Sequence, residues 1–322
     1  MSLETEAILE RRRLRRGISV WRALAVLAVL AAFGFAALSA ARTAGWTSNR
    51  QIARISVEGL ITEDRDQIRM LKKIAEAKYV KGLIVFVNSP GGTTTGGEAL
   101  FSALRDVAKV KPVVAQFGTL ATSAAYITGL ATDHIVARGN TITGSVGVIF
   151  QWAEVSQLLD KVGVKMNEVK SGPLKANPSP FQPLDPQGKA VAEQMVLESQ
   201  RWFVDLVATR RSIKTADIPG LEQGRIFSGR EALGYRMIDE IGGEEDAVKW
   251  MEDKRNVSKG LKVIDWKPER QSAWSMARVA SSIAGGLFGD GAGALVERIA
   301  QTPALPLGLD GLLSVWQPAK NE

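Results

Sequence analysis

Strand-like and helix-like segments alternate along this chain from residue 51 onward, and the alternation predicts an α/β fold with a largely parallel sheet. Two further features frame it. The stretch "GLIVFVNSPGG" (82–92) opens on a continuous apolar run, the pattern of a strand covered on both faces of its sheet. Upstream, "ALAVLAVLAAFGFAALSAA" (23–41) carries no charge and is flanked by Arg22 and Arg42. As a helix it rises about 28 Å, enough to cross a hydrocarbon core about 30 Å thick, so the α/β part is expected to follow one transmembrane helix.

The elements follow in order. Residues 1–22 hold six arginines against Glu4, Glu6 and Glu10. This basic stretch precedes the apolar run, so the positive-inside rule places the N-terminus in the cytoplasm and everything after Arg42 on the far, periplasm-like side. A cleaved leader ending at "LSA" is the alternative; it exports the same residues. After a link at 42–50, "ARISVEG" reads as a strand. A helix is expected from about Glu63 to Lys78, with Ile68, Leu71, Ile74 and Ala75 on one face. The strand at 82–92 ends in a Pro-Gly turn, a helix spans about 97–108, and "PVVAQFG" is the next strand. A helix begins near Ser123, "HIVA" and "VGVIFQ" are short strands, and 152–162 reads as helix. A long amphipathic helix runs from about Asp185 to Arg211, with Val191, Met195, Trp202, Phe203 and Leu206 at helical spacing. The folded domain is placed at 51–260. Residues 261–322 form an extension rich in Gly, Pro and apolar residues without clean periodicity, of no assigned role.

Composition removes whole classes of chemistry. With no Cys, disulfides, thiolate catalysis and zinc–sulfur sites are excluded. With one His, His134, a His-rich metal site is excluded too, and a Ser-His-Asp triad would have to use it. The net charge of +7 includes +3 from residues 1–22, beside the apolar run, and no basic stripe with interleaved aromatics follows, so nucleic acid is not an expected partner.

Three stretches can carry chemistry. In "NSPGG" (88–92), at the carboxyl end of a buried strand, Gly91 and Gly92 let backbone amides approach a bound group and form half of an oxyanion hole; a plain turn is the bland reading. In "FGTLATSAAY", Ser123 follows a strand and opens a helix, where the free amides favour a developing oxyanion and the amide of Ala124 supplies the other half; helix capping is the bland reading. A serine nucleophile needs a base. His134 sits one helix away, roughly 15 Å along, and is assigned a surface or strand-start role. The loop "EVKSGPLKANPSPF" (168–181) instead holds Lys170 and Lys175 in a Gly/Pro-rich setting that can dry an ammonium. A lysine base has to be brought from its ordinary pKa of ~10.4 to near neutrality by desolvation.

Taken together, "NSPGG", "TSAAY", "TGSVGV" (143–148), "VKSGPLKANPSPF" and "GRIFSGREALGYRMIDEIGG" (224–243) resemble, in order and spacing, the signal peptide peptidase A family, across about 52–251. The resemblance implies a Clp/crotonase-like fold of repeated ββα units, a serine endopeptidase acting on cleaved signal peptides and similar apolar peptides, and no metal or cofactor. It implies Ser123 as nucleophile, Lys175 as base, Lys170 as a neighbour shaping the loop, Ser145 as the residue orienting the lysine, and the amides of Ala124 and the Gly91–Gly92 pair as oxyanion donors. Many relatives carry Gly-Gly after the nucleophile where this chain has Ala124-Ala125. As a short form with one domain copy, the chain is expected to assemble as a ring, an octamer, pairing Ser123 of one protomer with Lys175 of its neighbour. A related Ser-Lys protease trimming one specific membrane protein, and a non-catalytic scaffold on the same fold, are the competing readings.

Overall fold

The computed structural model describes residues 21, 24–34, 50–269 and 313–315. The chain divides into two units, Met1–Asn49 and Arg50–Glu322. In the first, residues 24–34 form a helix, α1, with exposed side chains. Among the described residues no helix is long and apolar enough to cross a membrane. The expected span 23–41 falls only in part within them, and the basic segment before it and most of the 42–50 link lie outside.

The second unit is built on one mixed sheet. The first half alternates strictly: β1 (Gln51–Ile61), α2 (Arg65–Glu76), β2 (Val80–Thr93), α3 (Thr94–Ala108), β3 (Val113–Thr122), α4 (Ala124–Leu130) and β4 (His134–Ala137). These four strands pair in parallel, as apolar strands joined by helices must. Then come β5 (Ile142–Gly144), α5 (Ser156–Lys161), α6 (Pro186–Arg211), β6 (Ile226–Ser228), α7 (Gly229–Gly234), β7 (Glu240–Ile241), α8 (Glu244–Arg255), β8 (Lys262–Asp265) and β9 (Leu313–Val315). The strand order is β6–β5–β3–β2–β1–β8 with β4, β7 and β9 attached beside it, and among the described residues antiparallel pairing is confined to β5–β6 and β2–β9. The sheet therefore extends past residue 260, because β8 adds in parallel to the outer edge of β1.

A crease crosses the long strands. The β1–β2 register shifts between Glu58 and Leu60, and the β2–β3 register jumps from Val87↔Phe117 to Ser89↔Ala121. Such irregularities bend and twist a strand. Below the crease β3 pairs with β4, and above it with β5. The expected two strands per helix are thus single bent strands in β1, β2 and β3, and separate strands only at β4 and β5.

Helices cover both faces. On one, the buried side chains of α2, α3, α4 and the second half of α6 (Leu71, Ile74, Leu100, Leu104, Tyr126, Ile127, Phe203, Val207) form the main core with alternate residues of β1–β3. On the other, Ala247 and Met251 of α8 pack on Ile52, Ile84, Val114 and Val136. Four sequence expectations change. Met70, not Ile68, joins Leu71 and Ile74 in the buried face of α2. "NSPGG" continues as strand to Thr93; Pro90 fits there because β3 stops pairing after Ser89, so the missing N–H breaks no ladder with it. "VGVIFQ" is not a strand: positive φ at Gly144 (85°) and Ser145 (53°) turns the chain out of the sheet, and the strand is Ile142–Gly144. Burial along α6 is sparse, with Gly188 and Ala192 in its first half and Phe203 and Val207 in its second, and Val191 and Met195 stay exposed.

His134 opens β4, stacked on Trp250 at 4.7 Å with Nε2 3.1 Å from Glu240. It is a structural strand-start residue, as its sequence position suggests, but its side chain is mostly covered.

Tyr126 of α4 is fully buried and donates its hydroxyl to the Met237 carbonyl at 2.8 Å. Burial pushes its phenol pKa well up, so it stays a neutral donor. Tyr126→Phe should cost about 1–3 kcal/mol in urea unfolding, since it strands a buried carbonyl; an unchanged midpoint would show that the bond contributes nothing.

Candidate active site

The site begins where β3 becomes α4. Thr122 is the last strand residue, Ala124 the first helical one, and Ser123 between them sits at φ 60°, ψ −121°. A non-glycine residue there is strained by about 1–3 kcal/mol and persists only when its surroundings over-determine it. They do. The Ser123 N–H donates to the Gly144 carbonyl at 2.8 Å, and the Ser123 carbonyl accepts from the Ile127 N–H at 3.1 Å. Thr122 Oγ1 donates to the Pro90 carbonyl at 3.2 Å and Thr143 Oγ1 to the Ala121 carbonyl at 2.8 Å, pinning the strand end on both sides. The Ser123 side chain makes no capping hydrogen bond, which removes the bland reading of this serine. A sharp strand-to-helix turn of this kind presents a nucleophile.

The helix behind it is held at its far end. All seven residues of α4 are buried, and a buried helix end needs partners for its last carbonyls. Arg210 of α6 donates to the carbonyls of Leu130 and Thr132 at 2.7 and 2.9 Å, and Arg105 of α3 to that of Ala131 at 3.0 Å. Burial lowers the pKa of Arg210, but a guanidinium remains charged there. Cations at a helix C-terminus also complement its dipole. Sequence reading missed both arginines: one cation on an amphipathic helix looks like solvated surface.

The oxyanion candidates lie across from Ser123. Gly91 has φ 106°, open to glycine alone, and a Cβ at Gly92 would lie 1.9 Å from the Ile61 carbonyl oxygen. The Gly91 N–H donates to Ser89 Oγ at 3.0 Å. Ala124 is helical, so the positive φ falls on Ser123 and the alanine is unstrained. Its methyl has room because Gly97 of α3 faces it: a Cβ at Gly97 would sit 3.2 Å from the Ala124 Cβ.

Ser145 is brought to Ser123. The register pairs Thr122 with Gly144, so the two serines follow one another on neighbouring strands. Ser145 is buried, and its N–H donates to the Arg225 carbonyl at 2.9 Å. It lines a cavity of about 370 Å³ with Gly147, Val148, Ile149, Leu197 and Gln223. Gln200, which sequence reading also missed, borders this cavity and donates to the carbonyls of Val146 and Glu222. The lysines are not brought to the serines within one chain. Lys170 pairs with Glu168 at 2.6 Å. Lys175 lies exposed on its loop, its N–H donating to the Gly172 carbonyl, and no side-chain bond joins it to a described residue.

A largely parallel α/β sheet with a strained serine at a strand–helix elbow, beside a glycine-rich strand end, is the arrangement of the serine hydrolase class. The profile of Peptidase family S49 matches residues 105–258. A candidate protease of Synechocystis sp. is 34% identical over 206 residues, covering 63% of this chain and 74% of its own. A candidate signal peptide peptidase SppA of Enterococcus faecium is 32% identical over 253 residues, covering 72% of each. The chain belongs to peptidase family S49, in the signal peptide peptidase A group, and is a serine protease. Among solved structures, a mutant of Listeria monocytogenes ClpP1 overlays with TM-score 0.40 at 15% identity, over 61% of this chain and 94% of that one. A mutant of a membrane-bound stomatin-specific protease overlays with TM-score 0.44 at 14% identity, over 68% and 99%. Overlaps at this level carry no argument about substrate or assembly.

The Gly97–Ala124 contact can be tested as a cycle. Gly97→Ala should cost about 1–3 kcal/mol and slow fluorophosphonate labelling of Ser123, and Ala124→Gly in the same chain should recover most of both losses. Additive effects would mean the two positions do not meet.

Proposed function

We propose that this chain is a membrane-anchored serine endopeptidase on a Clp/crotonase-like scaffold that degrades cleaved signal peptides and similar apolar peptides with a Ser123–Lys175 dyad. The observation that carries the proposal is the backbone of Ser123: a costly conformation, fixed from three sides, with a hydroxyl not engaged in capping. Ser123 Oγ attacks the scissile carbonyl as Lys175 takes its proton. The oxyanion rests on the Ala124 amide and on that of Gly91 or Gly92, the former only by displacing Ser89 Oγ. The lysine then returns the proton to the leaving amine, and water hydrolyses the acyl-enzyme. Ser145, one register step away, orients the lysine.

The base comes from a neighbouring protomer. Two features favour this: Lys175 is exposed in the single chain, and the segment around it displays large apolar side chains, among them Ile149, Val169, Leu174, Phe181, Met195 and Leu197. An apolar surface of that extent marks an interaction site. A closed ring, an octamer on this reading, would cover it and dry the lysine. Residues 23–41 anchor the ring, with the N-terminus in the cytoplasm and the peptidase domain outside.

Ser123→Ala and Lys175→Ala are each expected to lose at least ~10³-fold in peptidase turnover while still assembling. Mixing the two variants and reassembling should restore about a quarter of wild-type activity, because one site in four then joins an intact serine to an intact lysine across a head-to-tail interface. A dyad within one chain would give none. Full activity in either single variant sinks the dyad.

A further inference from the structure

The crease interrupts the ladders on both sides of β2 just before its glycine pair. Between Glu58↔Asn88 and Leu60↔Gly91, the single residue Gly59 of β1 stands against both Ser89 and Pro90. On the other side β3 stops pairing after Ser89↔Ala121, and Pro90 has no N–H to offer either neighbour. Side chains take over here. Asn88 Oδ1 accepts from the Leu120 N–H at 3.2 Å, and Thr122 Oγ1 donates to the Pro90 carbonyl at 3.2 Å. Ser89 Oγ donates to the Gly59 carbonyl at 2.6 Å and accepts from the Gly91 N–H at 3.0 Å. A hydroxyl has one proton, and the Gly91 carbonyl, 3.4 Å away, is too distant to compete for it. The proton therefore lies toward Gly59, and a lone pair faces Gly91. Ser89 is fully buried, which removes solvent as a competing partner.

We propose that Ser89 is a positioning residue of the oxyanion hole: its hydroxyl, hung on the Gly59 carbonyl, holds the Gly91 N–H and so fixes the glycine pair relative to Ser123. The proposal deepens the reading of Ser123 as nucleophile and rests on it. The Pro90–Gly91 peptide is one rigid plane, and it is gripped at both ends. Its carbonyl takes Thr122, the residue before the nucleophile, and its N–H takes Ser89, which is anchored on β1. Two hydroxyls thus set the spacing that ladder bonds set elsewhere in the sheet. Glycine makes the restraint necessary. Gly91 at φ 106° lets the backbone approach a reacting oxygen, but with no side chain it has little to hold that conformation by itself. A preorganised donor has to be held within a fraction of an ångström of its working place, and the holding must come from outside the glycines. With its N–H given to Ser89, Gly91 is not the oxyanion donor, and that part falls to Gly92.

Ser89→Ala in the assembled full chain tests this, with Ser89→Cys, nearly the same size but a far weaker hydrogen-bonding group, as the second variant should alanine impair folding. Two ligands separate positioning from mere structure. An apolar peptide boronic acid bonds to the serine oxygen and places an oxygen where the oxyanion develops; the corresponding peptide carboxamide reports ground-state binding alone. Either variant should lose about 10- to 100-fold in boronate affinity and in kcat, less than deletion of an oxyanion donor outright costs. KM and carboxamide affinity should stay within about twofold of the parent, the pattern of an interaction made only in the transition state. Boronate affinity that neither variant weakens overturns the assignment of Ser89. Equal losses for boronate and carboxamide make Ser89 a structural residue and overturn it too. A boronate that binds Ser123→Ala as tightly as the parent removes the nucleophile reading itself, and the role of Ser89 with it.

Discussion

The turn at Ser123 is the constraint around which the unit is arranged. A serine at φ 60°, ψ −121° has to be held there against about 1–3 kcal/mol of strain. The holding is distributed: β5 supplies the carbonyl that takes the Ser123 N–H, β2 the carbonyl that takes Thr122, and α3 and α6 the arginines at the other end of α4. Removing any one leaves a buried polar group unmatched, which is why sheet, helices and clamp behave as one device. The neighbouring serine repeats the pattern, with Ser145 at φ 53° and its N–H on the Arg225 carbonyl. Two strained serines on adjacent strands show where the fold spends stability, and such strain collects at functional sites.

Much of this was legible from residue order. β1, β2, β3 and the helices between them follow from apolar runs separated by amphipathic stretches, and each lies within a few residues of its expected place. Ser123 was legible as the residue opening a helix, but its φ was not, since Ser at such a position usually caps. Three failures have physical causes. "NSPGG" reads as a turn because a Pro inside a buried strand breaks a ladder, and nothing local says that β3 has departed by then. "VGVIFQ" has the composition of a strand, and its exclusion is set by the backbone of Gly144 and Ser145 just before it. In α6 the apolar spacing is real, but Val191 and Met195, which belong to it, stay exposed in the single chain. Periodicity reports which face is apolar, not what covers it.

That last failure bears on chemistry. A lysine can take a proton from a serine only when it is neutral, and dry surroundings are what make it neutral. Within one chain the loop of Lys175 is wet, and so is the apolar surface around it. On the shared-site proposal these are one fact: the surface that drives assembly is the surface that dries the base. A lone protomer would then hold a shaped serine and no working base. Proteolytic competence would then depend on assembly.

An open strand edge carries a cost of its own. Any sheet that leaves an edge open for a substrate also leaves it open to other chains, and natural sheets blunt such edges with charge, proline, bulges or a covering segment. The β2 edge from Gly91 to Thr93 cannot carry charge: Gly91 has a φ reserved for glycine, and a side chain at Gly92 would strike the backbone of Ile61. Proline at either glycine would delete an amide that the proposed oxyanion hole draws on. Bulging is already used one step earlier, where the crease frees the edge from β3. Of the four devices only a covering segment is left, and along Gly91–Thr93 that cover is β9, Leu313–Val315, paired antiparallel to β2.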